Sequence, residues 1–385
     1  MIRIALIGTG SIADAHLEAY TRFPDRCQVV ALVNNTTEKA HRLKIKYKLD
    51  CQIMQDYREL LIRKEVDLVS ICIPPQDHAA VTIDCLKAGK HVLLEKPMAM
   101  SLEECDRMIE AAEASGRILS VVAQNRYFDH IVKLKTTLDS GLVGKIAHAK
   151  VESHWWRGQN YYDLWWRGTW ETEGGGCTLN HGVHHIDILQ WMMGMPQTVQ
   201  AVISNALHSN SEVEDISVAL LSYSNGSIAQ FTCSVNHHGE EQQIVFHGEK
   251  ARVSAPWKIG ASTQMENGFP KRNNELEKEI ERYYNGLASL PFTGHSGQID
   301  DILSSIERGS LAVMIDGHEG RKVIELVTAI YEAAIIAKPV QLPLTIDSPL
   351  YTREGILTHA PRFNKKLKSV ASFGTNEITL GGNNV

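Results

Sequence analysis

The chain lacks the features that mark several protein classes. It has seven cysteines in 385 residues, at Cys27, Cys51, Cys72, Cys85, Cys105, Cys177 and Cys233, and none forms a CxxC pair. An odd, scattered set excludes a disulfide framework and a thiolate zinc site. It reads as free, structural thiols in a reducing cytoplasm. No apolar run reaches the roughly 18 residues of a membrane span. The start, "MIRIALIG", passes into glycines too soon for a signal peptide. A cytoplasmic protein without a membrane partner is expected. Lys/Arg blocks are missing, and a net charge of −6 argues against a nucleic-acid surface. With 43% hydrophobic and 22% charged residues, the composition is that of a folded chain long enough for two domains.

What is present begins with "IRIALIGTGSIADAHLEAY". An apolar run of strand length turns through Gly8, Gly10, Ser11, Ile12 and Ala13, then takes helical spacing at Ala13, Leu17 and Tyr20. In this context the G-x-G-x-x-G/A pattern binds a dinucleotide. Gly8 permits the tight turn, Gly10 lets a pyrophosphate approach the backbone, and Ala13 lets helix and strand pack closely. The phosphate meets the free N–H groups of the helix start. Further strands ("CQVVALVN", "VDLVSICIPP", "HVLLEKP", "ILSVVAQNRY") alternate with helices, as in a doubly wound parallel sheet. Ser101 and Glu104 form a capping box, and that helix ends near Gly116. At the end of the second strand, where an NAD-specific fold usually carries Asp or Glu, the chain has Asn34, Asn35, Thr36 and Thr37. An amide bonds a ribose hydroxyl without repelling a 2′-phosphate, so the cofactor is NAD or NADP.

After Tyr127 the pattern changes. "DHIVKLKTTLDSGLVGK" reads as a helix closed by a glycine turn. "IAHAKVESHW", "TVQAVISNAL", "ISVALLSYS", "SIAQFTCSVN" and "EQQIVFHG" then read as strands without intervening helices, with a hairpin at "YSNGS". Two late helices follow, "SGQIDDILSSIERG" and "GHEGRKVIELVTAIYEAAI". The expected fold is an N-terminal Rossmann domain over residues 1–125, then an α+β domain with a large, mostly antiparallel open-faced sheet over 126–345. Residues 346–385 read as a tail, disordered or laid on a neighbouring subunit.

Two stretches of the second part carry chemistry. "HWWRGQNYYDLWWRGTW" holds five of the seven tryptophans, with a spacing that fits neither one helix face nor strict alternation. It reads either as a satellite core under a long loop or as an aromatic wall for a sugar ring, with Arg157 and Arg167 bonding hydroxyls. "GGGCTLNHGVHHIDIL" runs three glycines into Asn180, His181, His184 and His185. On a helix beginning near Asn180, with Asn180 at the N-cap, residues 180 and 184 share one face. His181 and His185 have i,i+4 spacing, yet no third ligand stands out, so no metal is expected. The glycines suit either a backbone passing close to a nicotinamide ring or a flexible turn.

In order, "GTGSIADAH", "CIPPQDHAA", "AGKHVLLEKPMAMSLEE", "QNRY", "GGGCTLNHGVHHID" and "DGHEGRKVIELVTAIYEAA" resemble the motifs of the glucose–fructose oxidoreductase, inositol dehydrogenase and rhizopine catabolism (Gfo/Idh/MocA) family. The resemblance spans about Ile2 to Pro343. It implies an NAD(P)-dependent sugar or polyol dehydrogenase with the cofactor between the two domains, held by the glycine turn, Asn34, Asn35, Pro74, His78, Glu95, Lys96 and Asn125. It also implies a homodimer or homotetramer formed through the second sheet.

Lys96, in Glu95-Lys96-Pro97, matches the family's catalytic lysine, and His184 its general acid/base. Asn180 stands where many members have aspartate, and can orient a hydroxyl without taking a proton. Arg126, Tyr127, Trp166, Arg167, His181 and His295 are expected to line the substrate site. The implied reaction is oxidation of a secondary hydroxyl of a sugar, glycoside or cyclitol, or its reverse. A glycosidase or lyase that recycles its cofactor and a non-catalytic dinucleotide sensor are the alternatives.

Overall fold

A computed structural model describes residues 1–373. The first six strands are β1 (Ile2–Ile7), β2 (Cys27–Val33), β3 (Gln52–Met54), β4 (Leu68–Ile71), β5 (His91–Leu94) and β6 (Leu119–Val121). They form one parallel sheet in the order β3-β2-β1-β4-β5-β6. The helices that connect them are α1 (Ser11–Tyr20), α2 (Thr37–Lys46), the short α3 (Arg58–Leu61), α4 (His78–Lys87) and α5 (Leu102–Ser115). β4 and β5 are buried along their whole length, as expected for strands covered on both faces. The order reverses between β1 and β4, so a crevice opens at their C-terminal ends, where Gly8 and Pro74 stand. The cap has formed at Ser101, whose hydroxyl accepts the Glu104 N–H at 3.3 Å, while the Glu104 carboxylate reaches one residue further back, to the Met100 N–H at 3.1 Å.

Helix α6 (Asp129–Asp139) leads into the second sheet. Its strands are β7 (Ile146–His154), β8 (Thr198–Ser204), β9 (Ile216–Ser222), β10 (Ile228–Ser234), β11 (Gln242–Gly248), β12 (Ala251–Ala255), β13 (Lys258–Gln264), β14 (Pro270–Arg272) and β15 (Val340–Gln341). The order is β14-β13-β12-β11-β7-β10-β9-β8-β15, antiparallel except where β10 meets β7. The expected hairpin joins β9 to β10. One face is core, with Val151, Phe231 and Leu221 buried, β7 packed on α7 (Val183–Met193) and β8 on α10 (Gly317–Ile336). The other face exposes Val202, Val218, Leu220 and Ile228, which is the open face on which the expectation of self-association rests.

The structure departs from the sequence reading in three places. Strands β3 and β12 to β15, the short α3, helix α8 (Asn274–Gly286) and helix α11 (Arg353–His359) were not read. Helix α9 (Gly294–Glu307) returns to the first sheet, with Ile299, Ile302 and Leu303 sharing a core with Leu17, Tyr20 and Phe23. Residues 361–370, expected to be disordered or on a neighbour, lie along the tryptophan-rich loop of their own chain, where Val370 pairs with Leu164. The remainder of that tail, residues 374–385, lies outside the described residues.

Candidate active site

The site begins at the glycine turn. Gly8 has φ +92°, and a Cβ there would meet the Cys72 carbonyl oxygen at 2.3 Å. Only glycine fits. A Cβ on Gly10 would meet nothing within 4 Å, so this residue faces open space. Ser11 and Ile12 begin α1 with N–H groups that no preceding turn can pair. The Thr9 hydroxyl is buried without a partner. A bare helix start with an orphaned hydroxyl beside it fits a pyrophosphate. Asn34 Oδ1 accepts the Thr9 N–H at 3.2 Å and Nδ2 donates to the Thr36 carbonyl at 2.8 Å. The amide thus braces the glycine turn against the end of β2, while Asn35 is exposed beside it. Pro74 lies part-exposed after β4. His78 does not face the crevice. It is fully buried, with its ring nitrogens 2.8 and 2.9 Å from the carbonyls of Pro97 and Ile73. It ties two loops together and corrects the expectation of a cofactor contact.

Glu95 and Lys96 follow β5. The Glu95 side chain is buried and accepts the backbone N–H of Lys96 at 3.1 Å. On its other oxygen, His16 Nε2 stands at 2.9 Å and His295 Nε2 at 3.7 Å. Burial alone raises the Glu95 carboxyl, but the two imidazoles hold it well below the usual carboxylate range. Behind His16, the Ser70 hydroxyl is 3.3 Å from Nδ1 and 2.6 Å from the Tyr20 hydroxyl, so a buried chain of bonds fixes the acid. His295 Nε2 lies beside Glu95 but is buried without a hydrogen-bond partner. These three side chains are also the one group among the described residues whose ligand-type atoms lie within 4.8 Å of one another. His181 and His185 belong to no such group.

The histidine-rich stretch folds differently from its sequence reading. The helix starts as a π-turn over Thr178–Gly182 and becomes α-helical at Val183. Asn180 is inside this turn and is not the N-cap. Its Nδ2 donates back to the carbonyls of Gly175 and Gly176, at 3.0 and 3.2 Å, and its own carbonyl accepts Lys96 Nζ at 3.2 Å. Residue 180 thus meets Lys96 through its backbone, and its side-chain NH2 is committed to the glycine carbonyls. The three glycines have a packing cause that neither sequence reading named. Added Cβ atoms would strike Met100 at 2.5 Å, the Tyr331 hydroxyl at 2.3 Å and the Glu214 carbonyl at 1.9 Å.

Glu214 was missed altogether. Its buried carboxylate accepts the N–H groups of Gly176 and Thr178, both at 3.0 Å, and the Tyr331 hydroxyl at 2.9 Å. It anchors the helix start that carries Asn180, His181 and His184, at the positive end of the helix dipole. Nothing in "SEVEDISV" marks this role, because the three donors come from two distant segments. Glu214→Ala leaves those donors buried and unpaired. It is expected to lower stability by about 3–5 kcal/mol, read from the urea midpoint.

Lys96 and His184 line one cavity with Met98, Asn125, Asp187 and Ile324. Burial lowers the Lys96 ammonium first, Glu95 raises it, and Arg167 and Arg157 lower it. Burial and the charge of Lys96 push His184 well below its usual value, so the imidazole is neutral at physiological pH. His181 is also buried, with Trp155 at 5.6 Å between ring centroids and the Tyr161 hydroxyl 3.4 Å from Nε2. The Arg167 guanidinium lies 4.1 Å from the Tyr161 ring and 4.0 Å from the Trp166 ring, and pairs with buried Glu173 at 2.8 Å. The core reading of the tryptophans holds in part. Trp155 and Trp170 are core, whereas Trp156 and Trp165 are exposed.

Two expected lining residues are committed elsewhere. Arg126 is buried, bidentate to Asp187 at 2.7 and 2.9 Å, with Glu319 at 2.9 Å. Tyr127 is buried and donates to Asp301 at 2.8 Å. Arg126 ties the turn after β6 to α7 and α10, and so holds α7 in place. His185 is buried with both nitrogens unpartnered, turned away from the shared cavity.

A parallel sheet with a glycine turn at its switch point, a buried lysine and a neutral histidine define a dinucleotide-dependent oxidoreductase. Residues 2–123 match the family model described as "Oxidoreductase family, NAD-binding Rossmann fold", and residues 131–254 match the "GFO/IDH/MocA C-terminal domain". The chain belongs to the GFO/IDH/MocA family of NAD-binding oxidoreductases. It is similar to the D-glucoside 3-dehydrogenase of Escherichia coli K12, with 24% identity over 89% of this chain and 97% of that protein. It is similar to the inositol 2-dehydrogenase of Burkholderia lata, with 28% identity over 77% of this chain and 88% of that protein. The WlbA dehydrogenase of Bordetella pertussis, solved with NADH and UDP-GlcNAcA, superposes with a TM-score of 0.76 at 27% identity. That match covers 89% of this chain and 98% of the other. No helix of the described residues is long and apolar enough to cross a membrane.

Proposed function

We propose that this chain oxidises a secondary hydroxyl of a sugar, glycoside or cyclitol, or reduces the corresponding ketone. The observation that carries the reading is the shared cavity of Lys96 and His184 at the C-terminal edge of the first sheet. Bound NAD or NADP supplies the hydride acceptor. His184, held neutral, takes the hydroxyl proton, and the Lys96 ammonium bonds the same oxygen and stabilises the charge that develops on it. Glu95 favours the charged form of Lys96 and directs its peptide. Arg167, Trp166, Tyr161 and His181 form the wall against which a ring stacks. The relatives named for a glucoside and for inositol support this substrate class.

The test is a screen of sugars, glycosides and inositols with NAD and with NADP, read by fluorescence of the reduced cofactor. Net reduced cofactor with at least one polyol is expected. Turnover without it sinks the dehydrogenase reading in favour of a cofactor-recycling lyase, and no turnover with any polyol sinks both.

The pH profile of kcat/KM for oxidation gives a second check, because it reports the free enzyme. His184 must be unprotonated and its pKa is depressed, so the acidic limb falls below the ordinary histidine value of 6.5. Lys96 must be protonated and its pKa is also depressed, so the alkaline limb falls below 10.5. An acidic limb above 6.5 contradicts the assignment of His184.

A further inference from the structure

One ammonium organises the tryptophan-rich loop from outside. Lys366 Nζ donates to the carbonyls of Tyr162, of Leu164 at 3.1 Å and of Arg167 at 2.8 Å. These are all three donors of a lysine, spent on a loop whose carbonyls lack strand partners. The segment around Lys366 is fastened on both sides. The Trp165 N–H donates to the Val370 carbonyl at 2.9 Å, and the Val370 N–H to the Asp163 carbonyl at 2.7 Å. Lys368 pairs with Asp163, and the Trp170 indole donates to the Pro361 carbonyl at 2.8 Å. Asn210 Nδ2 bonds Asp163 Oδ1 and the Lys368 carbonyl, while its Oδ1 accepts the N–H groups of Leu367 and Lys368.

The carbonyls that Lys366 holds belong to Arg167 itself and to the neighbour of Tyr161. Arg167 packs between Tyr161 and Trp166, Tyr161 meets His181, and Arg167 is near enough that its charge lowers both Lys96 and His181. We propose that Lys366 is a specificity-determining positioning residue: the C-terminal strap 361–370 fixes the Tyr161–Trp166–Arg167 wall and so selects which ring substrate the site accepts. This rests on the reading of function given above. Lys366 has no hydrogen bond to Lys96, His184 or the glycine turn, so its loss falls on substrate binding and spares both chemistry and cofactor.

The experiment compares full-length wild type, Lys366→Met and Lys366→Arg with the best polyol of the screen. Lys366→Met keeps the methylenes and removes the donors. It is expected to raise KM about tenfold, the scale of a lost charge-assisted bond, with kcat and cofactor affinity close to wild type. Trypsin is expected to cut after Arg157 or Arg167 in this variant and not in wild type. Lys366→Arg should restore part of the KM. Should Lys366→Met not fold, Val370→Pro removes one strap bond at its exposed end, and a smaller change in the same direction is expected. A wild-type KM and trypsin pattern in the variants overturns the proposal. So does a fall in kcat and thermal stability with KM unmoved, which is the mark of a purely structural contact. A wild type that turns over no polyol removes the functional reading instead, and the strap is then judged by the trypsin pattern, where protection in Lys366→Met overturns it.

Discussion

Lys96→Met and His184→Ala are each expected to lower kcat by about 10²–10⁴ while leaving cofactor affinity within a few-fold of wild type. In the proposed mechanism the two losses have different causes. Lys96 places a charge beside the reacting oxygen in a water-poor cavity, where one positioned donor supplies about 3–4 kcal/mol of barrier reduction. His184 supplies the acceptor for the hydroxyl proton, and without it the alkoxide forms unaided. Neither side chain belongs to the glycine turn that fits the pyrophosphate, so fluorescence titration with NADH should give nearly wild-type dissociation constants. Because both act on the same oxygen, the double variant should lose less than the product of the single losses. Turnover within about tenfold of wild type in Lys96→Met would reject the assignment, since a positioned general acid, base or cation is worth more than that.

Acid is expected to unfold the protein well above the usual carboxylate range. Burial depresses His16, His78, His181 and His184, and it pushes His91 and His185 down to about 4. A histidine depressed in the folded state binds its proton more readily when unfolded. Its contribution is therefore complete above pH 6.5 and is lost as pH falls towards the folded value. For a drop from 6.5 to about 4, linkage gives about 3 kcal/mol per residue. His91 and His185 alone approach the whole stability of an ordinary domain, about 5–15 kcal/mol. Glu214 works in the opposite sense. Burial raises it to about 7, so its contribution is complete below 4.5 and is lost as pH rises from there through about 7. Burial raises Glu104, Glu173 and Asp187 as well, but nine depressed imidazoles, His130, His154 and His247 included, outnumber these four carboxyls. The thermal midpoint should be nearly flat above pH 7 and fall steeply between about pH 6 and 4. Replacement of His185 by leucine should flatten that fall, since both of its nitrogens are buried without partners. Equal midpoints at pH 5 and pH 8 would contradict the account.

The first sheet was legible because its signals are local. The glycine turn, the cap at Ser101 and the apolar runs of β4 and β5 act within a few residues of chain, and the structure repeats them. Lys96 and His184 were legible through motif order. The misassigned residues fail for a common reason. Arg126, Tyr127 and His78 stand within motifs in the sequence, but their side chains turn to Asp187, Asp301 and two backbone carbonyls. Proximity in the chain does not say which way a side chain turns once distant elements pack against it. Helix α8 does carry a helical period, at Leu276, Ile280 and Tyr284, that the sequence reading passed over, whereas β14 is only three exposed residues with no alternation to read.

The sequence by itself determined a dinucleotide-binding doubly wound sheet, a following antiparallel sheet, and the lysine and histidine of the site. Each depends on short-range sterics or on alternation that one segment carries alone. Tertiary structure alone decided that Glu214 anchors the histidine helix, that the three glycines make room for Met100, Tyr331 and Glu214, and that Lys366 straps the aromatic loop. Those bonds join residues far apart in the chain, and a buried polar group takes its partner from whatever the fold brings within about 3 Å.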